Sequence, residues 1–225
     1  MLPPFEAMLF DFDGTLAVLN LDFAAMRQRL LALTVAQGIT PRELHGFDIL
    51  EMLDHATGLL HQRYPEQAAR FVRDAQQLLQ DMEVEAAQRG GLLPGVPELL
   101  AALRQENIGV GIVTRNCDAA VRVTFPHVDV YCQAFIPRDR VTQVKPHPAH
   151  LQAALDCLGT TPARAIMVGD GAMDIQAGKA LGMFSVGVLS GSSTTAKLLA
   201  QGADLVLASV ADLVQYLPGR QLDAS

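Results

Sequence analysis

Phe10-Asp11-Phe12-Asp13-Gly14-Thr15-Leu16 is the stretch on which the reading of this chain turns. It follows Ala7-Met8-Leu9-Phe10, an apolar run that predicts a short buried strand. Two carboxylates then stand two residues apart where that strand should end. Gly14-Thr15 predicts a sharp turn with free backbone N–H groups. In an open parallel sheet, ligands bind outside the carboxyl ends of the strands. Two acids placed there are costly unless they handle a cation or an anion. The plain alternative is a strand that runs out into a solvated Asp-x-Asp-Gly turn.

Bulk properties narrow the class. The chain has 225 residues, half of them apolar and 18% charged, which predicts a globular protein with a full core rather than a disordered one. A net charge of −7 argues against nucleic acid or an anionic membrane as the main partner. With no Trp and three Tyr, base-stacking platforms are not expected. No apolar run is long enough to span a bilayer, and no leader pattern opens the sequence. Cys117, Cys132 and Cys157 are odd in number and form no C-x-x-C, which points to buried free thiols in a reducing, cytoplasmic setting.

Two textures divide the chain. From about Val96 onward, short β-rich runs alternate with helical patterns. Val96, Leu99, Leu100 and Leu103 share a helical face, Ile108–Val113 reads as a strand ending at Thr114, and a helix is expected near Asn116. Tyr131–Ile136 reads as a strand, Ala149–Leu158 as a helix stopped by Gly159, and Ala165–Val168 as a strand running into Gly169-Asp170-Gly171. Asp174–Leu181 as a helix, Phe184–Leu189 as a strand, Thr194–Ala200 as a helix, Leu205–Leu207 as a strand and Val210–Leu217 as a helix complete the series. Repeated βα units predict an α/β fold, a Rossmann-like doubly wound parallel sheet. Residues 17–91 carry no strand signal and predict three amphipathic helices: one from Phe23, one opened by Thr40-Pro41 and running through Ile49 and Met52, and one over about Glu66–Gln88. The expected division is therefore a core of residues 1–16 and 92–225 with an inserted α-helical cap at 17–91, placed to exclude water and select a substrate.

Four groups recur at strand ends in chain order: Asp11-Phe-Asp13-Gly-Thr-Leu, Ile112-Val-Thr114-Arg-Asn, Val144-Lys145-Pro-His-Pro, and Gly169-Asp170-Gly-Ala-Met-Asp174. With these motifs the chain resembles the haloacid-dehalogenase superfamily, and within it the phosphoglycolate-phosphatase-like branch with a helical C1-type cap. The resemblance implies a Mg2+-dependent phosphohydrolase acting on a small phosphorylated metabolite, as a monomer or homodimer. It makes Asp11 the nucleophile and a metal ligand. Asp13 becomes the general acid and then base, with its backbone carbonyl on the metal, and Asp170 is the second metal carboxylate. A carboxylate can attack a phosphate ester only if the negative charge is offset, and Mg2+ suits that role because it takes hard oxygen ligands. Gly14 and Thr114 are expected to hold phosphate oxygens. Lys145, set before Pro146 and so expected in extended backbone, would neutralise transition-state charge. Asp174 either ligates through water or orients Lys145. Arg115 either meets the substrate phosphate or points outward.

Other residues narrow the reading. Dehalogenase relatives lack the acid at the Asp13 position, which disfavours carbon–halogen hydrolysis. Relatives cleaving phosphonoacetaldehyde need a cap lysine, and no Lys precedes Lys145. Ala17-Val18 stands where phosphoglycolate-phosphatase relatives often continue with Asp-Ser, which weakens that particular substrate. A phosphotransferase or mutase, and a non-enzymatic sensor of a phosphorylated ligand, are the two rival readings. His127, His147 and His150 are expected at the surface. Arg42, His55, His61 and Arg63 are cap side chains of a kind that can reach a substrate.

Overall fold

The sheet order, β5-β4-β1-β6-β7-β8, sets the position of everything that follows. The computed structural model describes residues 2–18 and 20–217. Its strands are β1 (Ala7–Phe10), β4 (Gly109–Thr114), β5 (Ala134–Pro137), β6 (Ala165–Gly169), β7 (Phe184–Val188) and β8 (Leu205–Leu207), all paired in parallel. Strand order runs one way from β1 through β4 to β5, then restarts on the other side of β1 with β6. Such a reversal leaves a crevice at the carboxyl ends of the strands on either side. Phe10 is level with Ile112 on β4 and with Val168 on β6, so the residues after these three strands converge.

Helices α7 (Ala149–Leu158) and α8 (Ala172–Ala180) cover one face of the sheet, where Leu151, Ala154, Leu155 and Ala177 pack on Leu9, Val113, Ile136 and Met167. Val110 and Ile112, which alternate with these positions on β4, are buried too. Burial on both faces is why the strands read as unbroken apolar runs. Helix α4 (Val96–Gln105) packs on β4 and on a closing 3₁₀ segment, Val210–Tyr216, where an α-helix was expected. Tyr131–Ile136 is not one strand. Val128–Tyr131 forms the single-turn helix α6, and pairing starts at Ala134. The helix α5 begins at Asp118 rather than Asn116, with Cys117 as its cap residue. Cys117 and Cys132 are buried, but Cys157 is exposed, contrary to expectation.

The chain divides into two compact units, residues 1–19 with 90–225 and residues 20–89. Two strands that the sequence did not suggest flank the insertion, β2 (Ala17–Val18) before it and β3 (Gly91–Leu92) after it, paired antiparallel. They belong to the larger unit, so the division falls at Asn20 and Arg89. Those two residues are joined: Asn20 Nδ2 donates to the Arg89 carbonyl at 3.1 Å.

Residues 20–89 build their own core from α1 (Phe23–Val35), α2 (Ile49–Arg63) and α3 (Pro65–Ala87), with Met26, Leu30, Leu44, Met52, Leu60, Phe71 and Leu79 buried together. The second expected helix is interrupted. Pro41–Leu44 is a 3₁₀ turn, and α2 starts afresh after Gly46, which has φ +90°. Two side-chain caps explain the restart. The Glu43 carboxylate accepts from the Thr40 N–H at 2.8 Å, and Asp48 and Glu51 cap each other's backbone at 2.9 Å. No helix among the described residues is long and apolar enough to cross a membrane.

Crowding of β4 by a side chain of its neighbour β1 sets the first test. A Cβ on Gly111 would lie 2.5 Å from Leu9 Cδ2, whereas one on Gly109 meets nothing nearer than 3.4 Å. Gly111→Ala is expected to lower unfolding stability by about 1–3 kcal/mol through overpacking. Gly109→Ala is expected to stay within about 0.5 kcal/mol of the parent. Urea denaturation of the two variants checks the contrast, and equal midpoints would contradict it.

Candidate active site

Asp11 is the first residue past β1, and its N–H donates to the Val168 carbonyl at 2.9 Å, extending the ladder by one bond. Phe12 is fully buried and anchors the segment between the two acids. The chain then turns: the Phe12 carbonyl accepts from Leu16 and Ala17, both at 2.9 Å. The N–H groups of Gly14 and Thr15 are spent inside this turn, on the carbonyls of Ala17 (2.7 Å) and Phe12 (3.3 Å). They are not the free donors the sequence suggested. Gly14 has a different role. It sits at φ +81°, and a Cβ there would lie 2.8 Å from Asp170 Cγ, so only glycine lets the turn pass the second acid.

Lys145 enters from the loop after β5. It is 2% exposed, and its Nζ lies 2.6 Å from Asp11 Oδ1 and 2.7 Å from Asp174 Oδ1. The Lys145–Pro146 peptide is cis. His150 holds the loop. It is fully buried, not at the surface as expected; its Nδ1 accepts from the Lys145 N–H at 3.1 Å, which leaves Nε2 to donate to the Ile136 carbonyl at 3.1 Å. Asp174 stands in the first turn of α8 and also accepts from the Gly171 N–H at 2.9 Å. A Cβ on Gly169 would overlap the Asp174 side chain, so glycine at the end of β6 is what admits α8 this close.

Thr15 ties the acids together. Its hydroxyl lies 3.3 Å from Asp11 Oδ2 and accepts from the Asp170 N–H at 3.0 Å. The loop after β7 adds two contacts: Ser192 N–H to Asp170 Oδ2 at 3.3 Å and Ser190 Oγ to the Gly14 carbonyl at 2.7 Å. The end of β4 serves a different acid. Thr114 is buried with its Oγ1 accepting from the Asn116 N–H at 3.0 Å, and Asn116 Nδ2 faces both Asp13 oxygens at 3.2 and 3.4 Å. Arg115 is half-buried. Its guanidinium reaches Met173 Sδ at the start of α8, and its carbonyl accepts from Arg138 at 3.2 Å. In the helical unit, Arg63 pairs with Glu43 at 2.5 Å, His61 contacts the Thr57 carbonyl at 3.0 Å, and His55 stacks on Phe47 at 4.6 Å. Thr15, Asn116, His150, Ser190 and Ser192 thus join residues that the motifs had marked. Thr15 lies inside the quoted first motif and Asn116 ends the second; the other three lie outside all four.

The electrostatics follow from this crowding. Burial pushes the Asp11 carboxyl well above the ordinary carboxylate range; Lys145 opposes that, and Asp174, Asp13 and Asp170 reinforce it. Burial alone would strip the Lys145 proton, but the Asp11 and Asp174 carboxylates outweigh it and hold the ammonium above its ordinary value. Asp170 is pushed up to about 6, first by burial and then by Asp174. Carboxylate oxygens of Asp11, Asp170 and Asp174 all lie within 4.8 Å of one another. An all-oxygen cluster with more negative charge than its lysine offsets is the donor set that a hard divalent cation takes.

An acid cluster at the switch point of a parallel sheet, pinned by one buried lysine, makes this an α/β protein with a site suited to a cation beside a carboxylate. The family model described as haloacid dehalogenase-like hydrolase matches residues 8–188, and the chain belongs to that family. It is 28% identical over 222 residues to a phosphoglycolate phosphatase of Pseudomonas putida, covering 94% of this chain and 78% of that one. It is 33% identical over 153 residues to a phosphoglycolate phosphatase of Salmonella paratyphi A, covering 67% of this chain and 61% of that one. The crystal structure of a hydrolase from Pseudomonas syringae shares the fold, with a TM-score of 0.69 at 24% identity over 94% of this chain and 97% of that one.

His150 gives the site a measurable acid sensitivity. Burial first, and then the Lys145 ammonium, pull its pKa from 6.5 down to about 3. The unfolded chain therefore binds more protons between these values, and stability is lost as pH falls below about 6.5. The expected loss from this group is about 2 kcal/mol at pH 5 relative to pH 7. Urea unfolding at both pH values should show His150→Asn losing less stability on acidification than the parent by about that amount. Equal losses would contradict the assignment.

Proposed function

We propose that this chain is a Mg2+-dependent phosphatase that hydrolyses a small phosphomonoester through a phospho-aspartate on Asp11. The observation that carries the reading is the Asp11–Lys145–Asp174 bridge beside Asp170 at the end of β1. It supports a carboxylate that Lys145, together with a bound cation, would keep ionised for attack on a dianionic ester. Asp11, Asp170 and Asp174 would hold the cation, with the Asp13 carbonyl. Asp174, bonded to Lys145, fits the orienting role as well. When bound, Mg2+ supplies the positive charge that lets one anion approach another.

In the first step Asp11 attacks phosphorus while the ester oxygen leaves with a proton from Asp13. In the second, Asp13 takes a proton from water, which attacks phospho-Asp11 and frees phosphate. Lys145 offsets charge on the phosphoryl oxygens, and the Thr114 hydroxyl is assigned one of them. Arg115, directed to the start of α8, is a second candidate for that contact. The helical unit of residues 20–89 is assigned substrate selection, since all four motifs lie outside it. Two relatives are named for phosphoglycolate, so that ester belongs in the test panel beside other small phosphate esters.

Phosphate release from such a panel tests the reading. Asp11→Asn is expected to lower turnover by about a thousandfold or more, since an amide forms no acyl phosphate. Its fold should persist, because the change removes one charge from a crowded acid cluster and leaves Lys145 its bond to Asp174. Near-normal turnover in that variant would defeat the mechanism. A second test is the cation. EDTA should stop turnover and Mg2+ restore it, and Mg2+ should raise the melting temperature of the parent more than that of Asp170→Asn. A melting temperature indifferent to Mg2+ in both would count against the metal site.

A further inference from the structure

We infer that Ser190 is a positioning residue for the cation site, its hydroxyl clasping the loop after β7 to the turn at Gly14 and so fixing the place in which Asp170 is held; the inference rests on the metal-dependent reading above. Two pieces of backbone confine Asp170. A Cβ on Gly14 would lie 2.8 Å from both Cγ and Oδ2 of Asp170 and 3.0 Å from Oδ1. A point almost equally far from all three atoms stands over the flat face of the carboxyl, so the Gly14 turn is a wall against that face. A Cβ on Gly191 would overlap Oδ2, so the loop after β7 backs that oxygen. The Ser192 N–H donates to the same oxygen at 3.3 Å, while Oδ1 lies 3.5 Å from the Thr15 hydroxyl. The two walls come from segments 176 residues apart, and Ser190 joins them: its Oγ donates to the Gly14 carbonyl at 2.7 Å. Gly14 is held at its N–H too, by the Ala17 carbonyl at 2.7 Å, so the clasp ties the loop to a turn that is itself fixed.

The clasp acts on the whole carboxyl rather than on one of its oxygens. It sets the spacing of the walls, and with that how far Asp170 can tilt or shift. Mg2+ demands near-octahedral geometry at short oxygen distances, whereas Ca2+ accepts longer and more variable ones. A loosened Asp170 therefore weakens Mg2+ more than Ca2+. Groups that orient a metal ligand without touching the metal typically govern about ten- to a hundredfold in affinity.

Calorimetric titration of the full chain with MgCl2 and with CaCl2 tests this. Ser190→Ala removes the clasp, and Ser190→Thr keeps a hydroxyl in its place. Ser190→Ala is expected to raise the Kd for Mg2+ about tenfold or more and that for Ca2+ by less than about threefold. Ser190→Thr is expected to bind Mg2+ within about threefold of the parent. Where Ca2+ binds neither protein, the Mg2+ loss and its recovery in Ser190→Thr decide alone. An unchanged Kd for Mg2+ in Ser190→Ala would overturn the inference while leaving the metal site intact. Equal losses on both cations would overturn it as well, since they report general damage to the acid cluster. A Ser190→Thr variant as weak as Ser190→Ala would show that the hydroxyl is not what matters. Failure of Ser190→Ala to fold would assign the hydroxyl to the fold and overturn the inference too. A parent that binds no Mg2+, or binds it no more tightly than Asp170→Asn does, would remove the metal reading and the inference with it.

Discussion

The buried ammonium of Lys145 is the constraint around which the rest of the site is arranged. It cannot be hydrated where it sits, so its charge must be met by protein groups, and Asp11 and Asp174 meet it from two different strands' ends. Those acids in turn repel each other and Asp170, and the same lysine makes their proximity tolerable. Removing the lysine from such a buried set typically costs about 3–5 kcal/mol, because the acids are then left facing one another without a counter-charge. The arrangement is therefore held in place by its own electrostatics, and His150, Thr15 and Gly169 are the supports that keep the partners within reach.

Topology explains why residues so far apart in sequence arrive together. Because strand order reverses at β1, the ends of β4 and β6 flank the end of β1, and the loop after β5 returns Lys145 to the same place. The glycines on this side mark where backbone and side chain approach too closely for a Cβ: Gly14 beside Asp170, Gly169 beside Asp174, and Gly191 beside Asp170. Each glycine permits one carboxylate to be crowded, and crowding raises the affinity of a carboxylate cluster for positive charge.

Much of this was legible before any coordinates. The βα alternation was readable because strands buried on both faces are continuous apolar runs. The four motifs were readable because strand-end residues are local in sequence. What escaped had physical reasons. Tyr131 was read as the start of a strand, yet it closes the helical turn Val128–Tyr131, whose Val128 carbonyl accepts from the Cys132 N–H at 3.1 Å, and pairing waits until Ala134. β2 and β3 have two residues each, too few to show any period. His150 opens a helix, a place usually exposed, and only the returning Lys145 loop encloses it. Asn116 resembled a helix cap because Asn commonly caps, but Cys117 took that position and freed the amide for Asp13. The Asp48–Glu51 cap that restarts the second helix was visible as spacing, yet the apolar pattern ran through it from Leu44 to Met52.

The antiparallel pair of β2 and β3, with the Asn20–Arg89 bond just beyond it, brings the two ends of the insertion side by side. Seen from the sheet, residues 20–89 are then a hairpin loop that happens to contain a folded body. Loop-closure entropy grows only slowly with length, so a loop whose ends are already stapled can lengthen, shorten or change its contents at little cost to the sheet. Mutation can thus exchange the helical body without disturbing the acids at the strand ends.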